Sequence, residues 1–335
     1  MTILIGNDRL KGQYQNLGNS QSRRTLSNGL NLMIVIFSVT FLAVSAWNFQ
    51  KFVNRRDLHM IYLNPRQPLL HKTSDKFLSF GIDSSLLRDM DNLPILNETF
   101  ISLARHLAPA FVRFGGTSAD CLYFDELPQV NSKGVYSPVD QQDISNFTIT
   151  ATNFENLYNF ATRSELRMIF DINVLIRGAD NSWNYTNAWK IISYARQQNM
   201  DLDWQLGNEP NSFHHVFNIK IPPEQLAQDY YQLRILLNKA NYNRSLLVGP
   251  EVNHVGDDKH AGELYAKTFL ENDKNSVNYI TWHQYYLNGR EAQVADFVNP
   301  ETFKFLVQEI QSMKEILKLP KYDVPMWLCM SLSTF

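Results

Sequence analysis

Two stretches of this 335-residue sequence combine residue types that transfer protons and hold sugars. The first, WQLGNEPNSF (204–213), sets Glu209 between Asn208 and Pro210 directly after an apolar run. A carboxyl at a strand end, sheltered by Trp204 and Phe213, would have its pKa raised by desolvation and could donate a proton near neutral pH. Asn208 beside it can hydrogen-bond a sugar hydroxyl. A loop glutamate that merely caps the next segment fits the same residues. The second stretch, YITWHQYYLNGR (279–290), gathers Trp282, His283, Tyr285, Tyr286 and Arg290. Aromatic faces stack on sugars, while His and Arg hold carboxylates or sulfates. An aromatic core strand with a satisfied histidine is the plainer alternative. VRFGGT (112–117) admits close backbone approach at Gly115 and Gly116, as a tight turn would.

Acid chemistry of this kind uses a second carboxylate, so the elements that would present one matter. Past residue 75, short apolar runs alternate with segments of helical period. Expected strands are 77–82, 110–114, 167–175, 202–207, 246–250, 277–283 and 324–329. Expected helices lie near 98–107, 151–165, 186–198, 223–240, 260–271 and 302–317, the fourth opening on Pro as a first helical turn allows. This alternation predicts a parallel sheet covered by helices. No Gly-rich phosphate turn follows the first strand, which favours a (β/α)8 barrel over an open sheet. The count stops at about seven units, so the barrel is expected to be incomplete. Residues 127–150 read as a long loop. Barrel enzymes carry their catalytic groups at the C-terminal ends of strands. Those ends here are Asp83, Gly115-Gly116-Thr117, Asn173, Asn208-Glu209, Glu251, His283-Tyr285 and Met330.

Several chemistries are excluded. No G-x-S-x-G, H-E-x-x-H or Walker pattern occurs, and neither metal nor other cofactor is expected. The adjacent His214-His215 cannot present both rings to one metal from a helix face and reads as exposed loop. Cys121 and Cys329 are the only cysteines, too few for a disulfide framework or a cysteine-based zinc site. The formal charge of −2 provides no basic field, so nucleic acid is not expected as partner.

The N-terminal region points to the secretory pathway. Residues 1–29 are polar, and 30–47 (LNLMIVIFSVTFLAVSAW) carry no charge. As a helix this segment would span roughly 27 Å, about a hydrocarbon core. A signal-anchor and a cleaved signal peptide both fit. Residues 48–75 read as a linker with a possible stray strand, and 76–335 as the partial barrel. Four Asn-x-Ser/Thr sites, at Asn97, Asn146, Asn184 and Asn243, agree with a lumenal location.

FLSFGIDSSL, FVRFGGT, WQLGNEPNSF and TWHQYYLNGR, in this order and spacing, resemble glycoside hydrolase family 79, the heparanase-type endo-β-glucuronidases. The resemblance runs from about residue 75 to 328. It implies a retaining barrel glycosidase that cleaves β-glucuronide bonds in glycosaminoglycan chains of the heparan sulfate type, with Glu209 as acid/base. It implies glycan contacts at Asp83, Thr117, Asn208, His283, Tyr285 and Arg290, with Tyr285 near the nucleophile and His283 near the glucuronide carboxylate. The family's nucleophile stands in Trp-Leu-Gly-Glu-Thr-Ser, whereas this chain reads Trp327-Leu328-Cys329-Met330-Ser331-Leu332. Met330 therefore holds the nucleophile position, and a thioether cannot attack an anomeric carbon as a glutamate does. Relative to the family, an eighth strand and a C-terminal β-sandwich are also missing. The expectation is thus a C-terminally truncated chain, inactive by itself, or a non-catalytic product that either binds glycan or fails to fold. The acidic Asp257-Asp258 after the fifth strand disfavours sulfated chains.

Overall fold

The computed structural model describes residues 33, 35–47, 67–68, 72–128, 134–137, 142–253, 255–256, 260–287, 291–318 and 324–331. The chain divides into Met1–His71 and Lys72–Phe335. In the first unit, residues 35–47 form a helix, α1. Among the described residues no helix is long and apolar enough to cross a membrane. Residues 30–32 and 34 of the expected apolar helix, and residues 1–29 and 48–66, lie outside the described residues.

The second unit contains a seven-stranded sheet whose order, β1-β2-β5-β6-β7-β8-β9, follows the chain. Its strands are β1 (Phe80–Asp83), β2 (Phe111–Gly115), β5 (Arg167–Ile172), β6 (Asp203–Leu206), β7 (Leu247–Val252), β8 (Tyr279–Gln284) and β9 (Met326–Ser331). Every neighbouring pair is parallel. Each expected strand is present, and the connecting helices α2 (Glu98–Arg105), α3 (Ala151–Arg163), α4 (Thr186–Gln197), α6 (Pro223–Lys239), α7 (Ala261–Asn272) and α8 (Lys304–Leu317) match the expected six. β6 and β7 are buried along their whole length, as strands must be when helices cover one face and the sheet curls over the other. The curl brings the Phe111 ring of β2 to 5.0 Å from Trp327 of β9, and Trp327 stacks on Tyr279 at 3.9 Å. The second unit is thus a curled, incomplete (β/α)8-type barrel with an aromatic floor.

Local chemistry sets the helix starts. The Asn97 side chain accepts from the Thr99 and Phe100 amides, and Thr150 with Asn153 forms a capping box at α3. On the outer layer, Phe154 of α3 meets Phe170 of β5 edge-on at 5.1 Å, and Tyr230 of α6 meets Phe269 of α7 at 5.2 Å. Burying each such ring stabilises the fold by about 1.5–3 kcal/mol.

Two expectations need correction. The segment 127–150 is not loop throughout, because β4 (Phe147–Thr150) pairs in parallel with β3 (Leu122–Asp125) as a separate two-stranded sheet. Its Phe147 and Ile149 alternate inward, a pattern too short to outweigh the turn residues before it. His214 and His215 are exposed as expected but lie on a one-turn helix, α5 (Phe213–Val216).

Candidate active site

The site is built at the end of β6. Gly207 follows the strand at φ 78°, where a Cβ would stand 2.6 Å from Val174. The next amide, of Asn208, donates to Asp120 Oδ2 at 2.9 Å, and Glu209 then adopts a left-handed conformation at φ 54°. Such a conformation costs a non-glycine residue about 1–2 kcal/mol and is kept here by surrounding contacts. Glu209 Oε1 accepts from His283 Nδ1 and from the Tyr285 hydroxyl, each at 2.7 Å, and Oε2 accepts from Asn253 Nδ2 at 2.8 Å. Its side chain keeps 17% exposure, so the carboxyl is held from below and open above.

Beneath it lies a buried polar layer inside the barrel. His283 of β8 is 1% exposed, and its Nε2 meets Glu251 Oε2 at the end of β7. Arg113 of β2 donates to Gln205 Oε1 at 2.7 Å and Asn208 Oδ1 at 2.8 Å, and its guanidinium faces Asp171 at 3.5 Å and Glu251 at 3.8 Å. Gly115 makes room for this arginine, since a Cβ there would stand 2.6 Å from the guanidinium carbon. Gly116, at φ 118°, makes room for Asp83, whose Oδ2 would lie 2.7 Å from a Cβ. The glycine pair thus does more than turn the chain.

The charges sort by partner. Burial opposes ionisation of His283, but the charge of Glu251, with the ring's hydrogen bonds to Cys329, Glu209 and Glu251, holds the ring protonated well above its usual range. Both ring nitrogens then donate. Burial likewise pushes Glu251 up, yet Arg113 and His283 prevail and bring it down to about 2. Asp120 is raised by burial to about 7, and Asp171 goes well above the usual carboxylate range for the same reason. For Glu209, burial raises the pKa, while His283, Tyr285 and Arg113 outweigh it and leave the group below its ordinary value. This corrects the expectation of a raised pKa. Trp204 is buried against Tyr242 at 5.7 Å, and it is the cationic imidazole that decides the charge of Glu209.

Of the other residues singled out from the sequence, Asn208, His283 and Tyr285 converge on Glu209 or its support. Asp83 is exposed, caps the turn after β1 through Ser85 N at 2.8 Å, and sits beside Gly116. Thr117 is half-buried at the end of β2. Met330 pairs with His283 across the sheet, at the end of β9. Arg290, Asp257 and Asp258 lie outside the described residues. Asn97, Asn146, Asn184 and Asn243 are all exposed. Sequence reasoning placed Glu251 only as a strand end and gave no role to Arg113, Asp120, Asp171 or Asn253. An arginine and an aspartate inside the apolar runs AFVRF and MIFDI were the available signal, because a buried charge requires a partner.

Residues 81–333 match the model of the glycosyl hydrolase family 79 N-terminal domain. The chain belongs to glycoside hydrolase family 79. Heparanase of Bos taurus is 31% identical over 303 residues, covering 79% of this chain and 55% of that protein. Inactive heparanase-2 of Mus musculus is 26% identical over 331 residues (82% and 55%), and hyaluronoglucuronidase of Hirudo nipponia is 27% identical over 286 residues (78% and 56%). The chain therefore spans about half the length of the curated relatives it matches.

Proposed function

We propose that this chain forms a heparanase-type site for glucuronide-containing glycosaminoglycans, with Glu209 in the acid/base position, and that it binds such chains without cleaving them. The observation that carries this is the pairing of Glu209, open above and hydrogen-bonded below, with a β9 that has Met330 opposite His283. Retention needs two carboxyl groups about 5 Å apart, one of them a nucleophile. Met330 offers none. Relatives include a heparanase, a hyaluronoglucuronidase and an inactive heparanase-2, so the substrate class and a non-catalytic member both have precedent. In this reading Asp83, Thr117, Asn208, Tyr285 and Arg290 contact the glycan, and His283 acts from beneath through Glu209. Nucleic acid has no role in it.

The domain plan that goes with this reading is a polar segment 1–29, an anchor or signal helix at 30–47, a linker at 48–75 and the barrel at 76–335. Exposed Phe37, Phe41, Leu42 and Trp47 on α1 favour membrane association, and four exposed sequons favour glycosylation in the secretory pathway. The test uses the full chain with a β-glucuronide oligosaccharide. Calorimetry is expected to detect binding that Asn208→Ala weakens, while reducing-end release equals that of Glu209→Gln. Release above the Glu209→Gln control, or no binding by a cooperatively folded chain, overturns the proposal.

A further inference from the structure

Below Glu209, three side chains from three strands meet: Glu251 at the end of β7, His283 in β8 and Cys329 in β9. One donor atom from each lies within 4.8 Å of the other two. Glu251 is fully buried, His283 nearly so, and Cys329 half-buried. Three further observations turn this contact into a site. Glu251 Oε1 is buried and makes no hydrogen bond among the described residues, so a donor atom without a partner stands at the cluster. His283 Nδ1 is hydrogen-bonded to Glu209 Oε1 at 2.7 Å, which orients the ring with Nε2 toward Glu251. A carboxylate on the far nitrogen is the usual outer-shell support of a metal-binding histidine. A bulge between Trp282 and His283 in the β8–β9 register adds one residue to β9. The added residue is Cys329, and the thiol joins the buried pair.

We propose that Glu251, His283 and Cys329 form a zinc-binding site that leaves a fourth position for water. The donor set of thiolate, imidazole and carboxylate suits a borderline-soft, tetrahedral divalent ion rather than magnesium or calcium. Arg113 remains 3.8 Å from Glu251 Oε2, which leaves the unpartnered Oε1 as the carboxylate donor.

The experiment strips the full-length chain with chelator and titrates it with Co2+ and with Zn2+. Expected are one equivalent bound, a thiolate-to-cobalt charge-transfer band and tetrahedral d–d bands. Losing an outer-shell partner typically weakens a metal site 10–100-fold, so Cys329→Ala is expected to exceed about 100-fold. Cys121→Ala, which changes the other cysteine, is expected to leave affinity unchanged. X-ray absorption of the unaltered zinc protein is expected to show one sulfur at about 2.3 Å and nitrogen or oxygen at about 2.0 Å. This holds even if the Cys329 variant fails to fold. No stoichiometric binding by the unaltered chain, a metal shell without sulfur, or equal affinity in Cys329→Ala overturns the proposal. None of these readouts depends on glycan binding or turnover.

Discussion

The low pKa of Glu209 follows from what stands beside it, and changing Met330 tests the cause. In a retaining pair the ionised nucleophile repels charge on the acid/base and holds it protonated. Here the residue opposite His283 is Met330, and the charges facing Glu209 are His283 and Arg113. Met330→Glu would add a negative charge at the retaining separation of about 5 Å. At an effective dielectric of about 20, that repulsion is about 3 kcal/mol. This corresponds to an upward move of the Glu209 midpoint by about 2 pH units. Salt should reduce it little, because Glu209 keeps only 17% side-chain exposure. The assay is carbon-13 NMR titration of glutamate-labelled full chain, with Glu209→Gln assigning the resonance and Met330→Gln as the neutral control. A Glu209 midpoint in Met330→Glu within about half a pH unit of the unaltered chain would refute the electrostatic account. The same variant is expected to gain β-glucuronide turnover that the Met330→Gln control lacks.

Three further outcomes follow from the buried charged and titratable groups. Arg113→Met leaves Glu251 ionised and without its guanidinium, so unfolding by urea is expected to show a loss of about 3–5 kcal/mol; a loss below about 1 kcal/mol would count against the pairing. Tyr285→Phe removes one donor from Glu209 and is expected to raise its NMR midpoint by about 1 pH unit, while an unchanged midpoint would mean that the hydroxyl does not support the charge. Glu309 of α8 is raised by burial to about 7 from an ordinary value of 4.5. The folded chain therefore keeps a proton that the unfolded chain releases, and stability falls as pH rises from 4.5 to about 7. Glu309→Gln is expected to match the unaltered melting temperature below pH 4.5 and to exceed it above pH 7; parallel melting curves at all pH values would refute this.

The fold was legible in the sequence because its signals are local and repeated. Seven apolar runs alternate with helical segments, and each run became a strand within a few residues of its expected place. β3 and β4 escaped because four-residue strands embedded in polar, turn-rich sequence carry little periodicity. The position of Glu209 was legible for a similar reason, since Asn-Glu-Pro directly after an apolar strand marks a strand end.

The charge of Glu209 was not legible, because it is set by residues far away in sequence. His283 lies 74 residues from Glu209, and Glu251 lies 32 residues before His283. No spacing rule links them, and only the parallel order β6-β7-β8-β9 brings them side by side. The same geometry gathers Glu251, His283 and Cys329, which no local spacing rule connects, because a barrel brings one side chain from each of several strands to one place. Cys329 reaches Glu251 and His283 through a single bulge in β9. A one-residue change in that register would exchange Cys329 for a neighbour on the other face of the strand. The register of β9 therefore decides both whether a thiol joins the buried pair and which residue stands opposite His283.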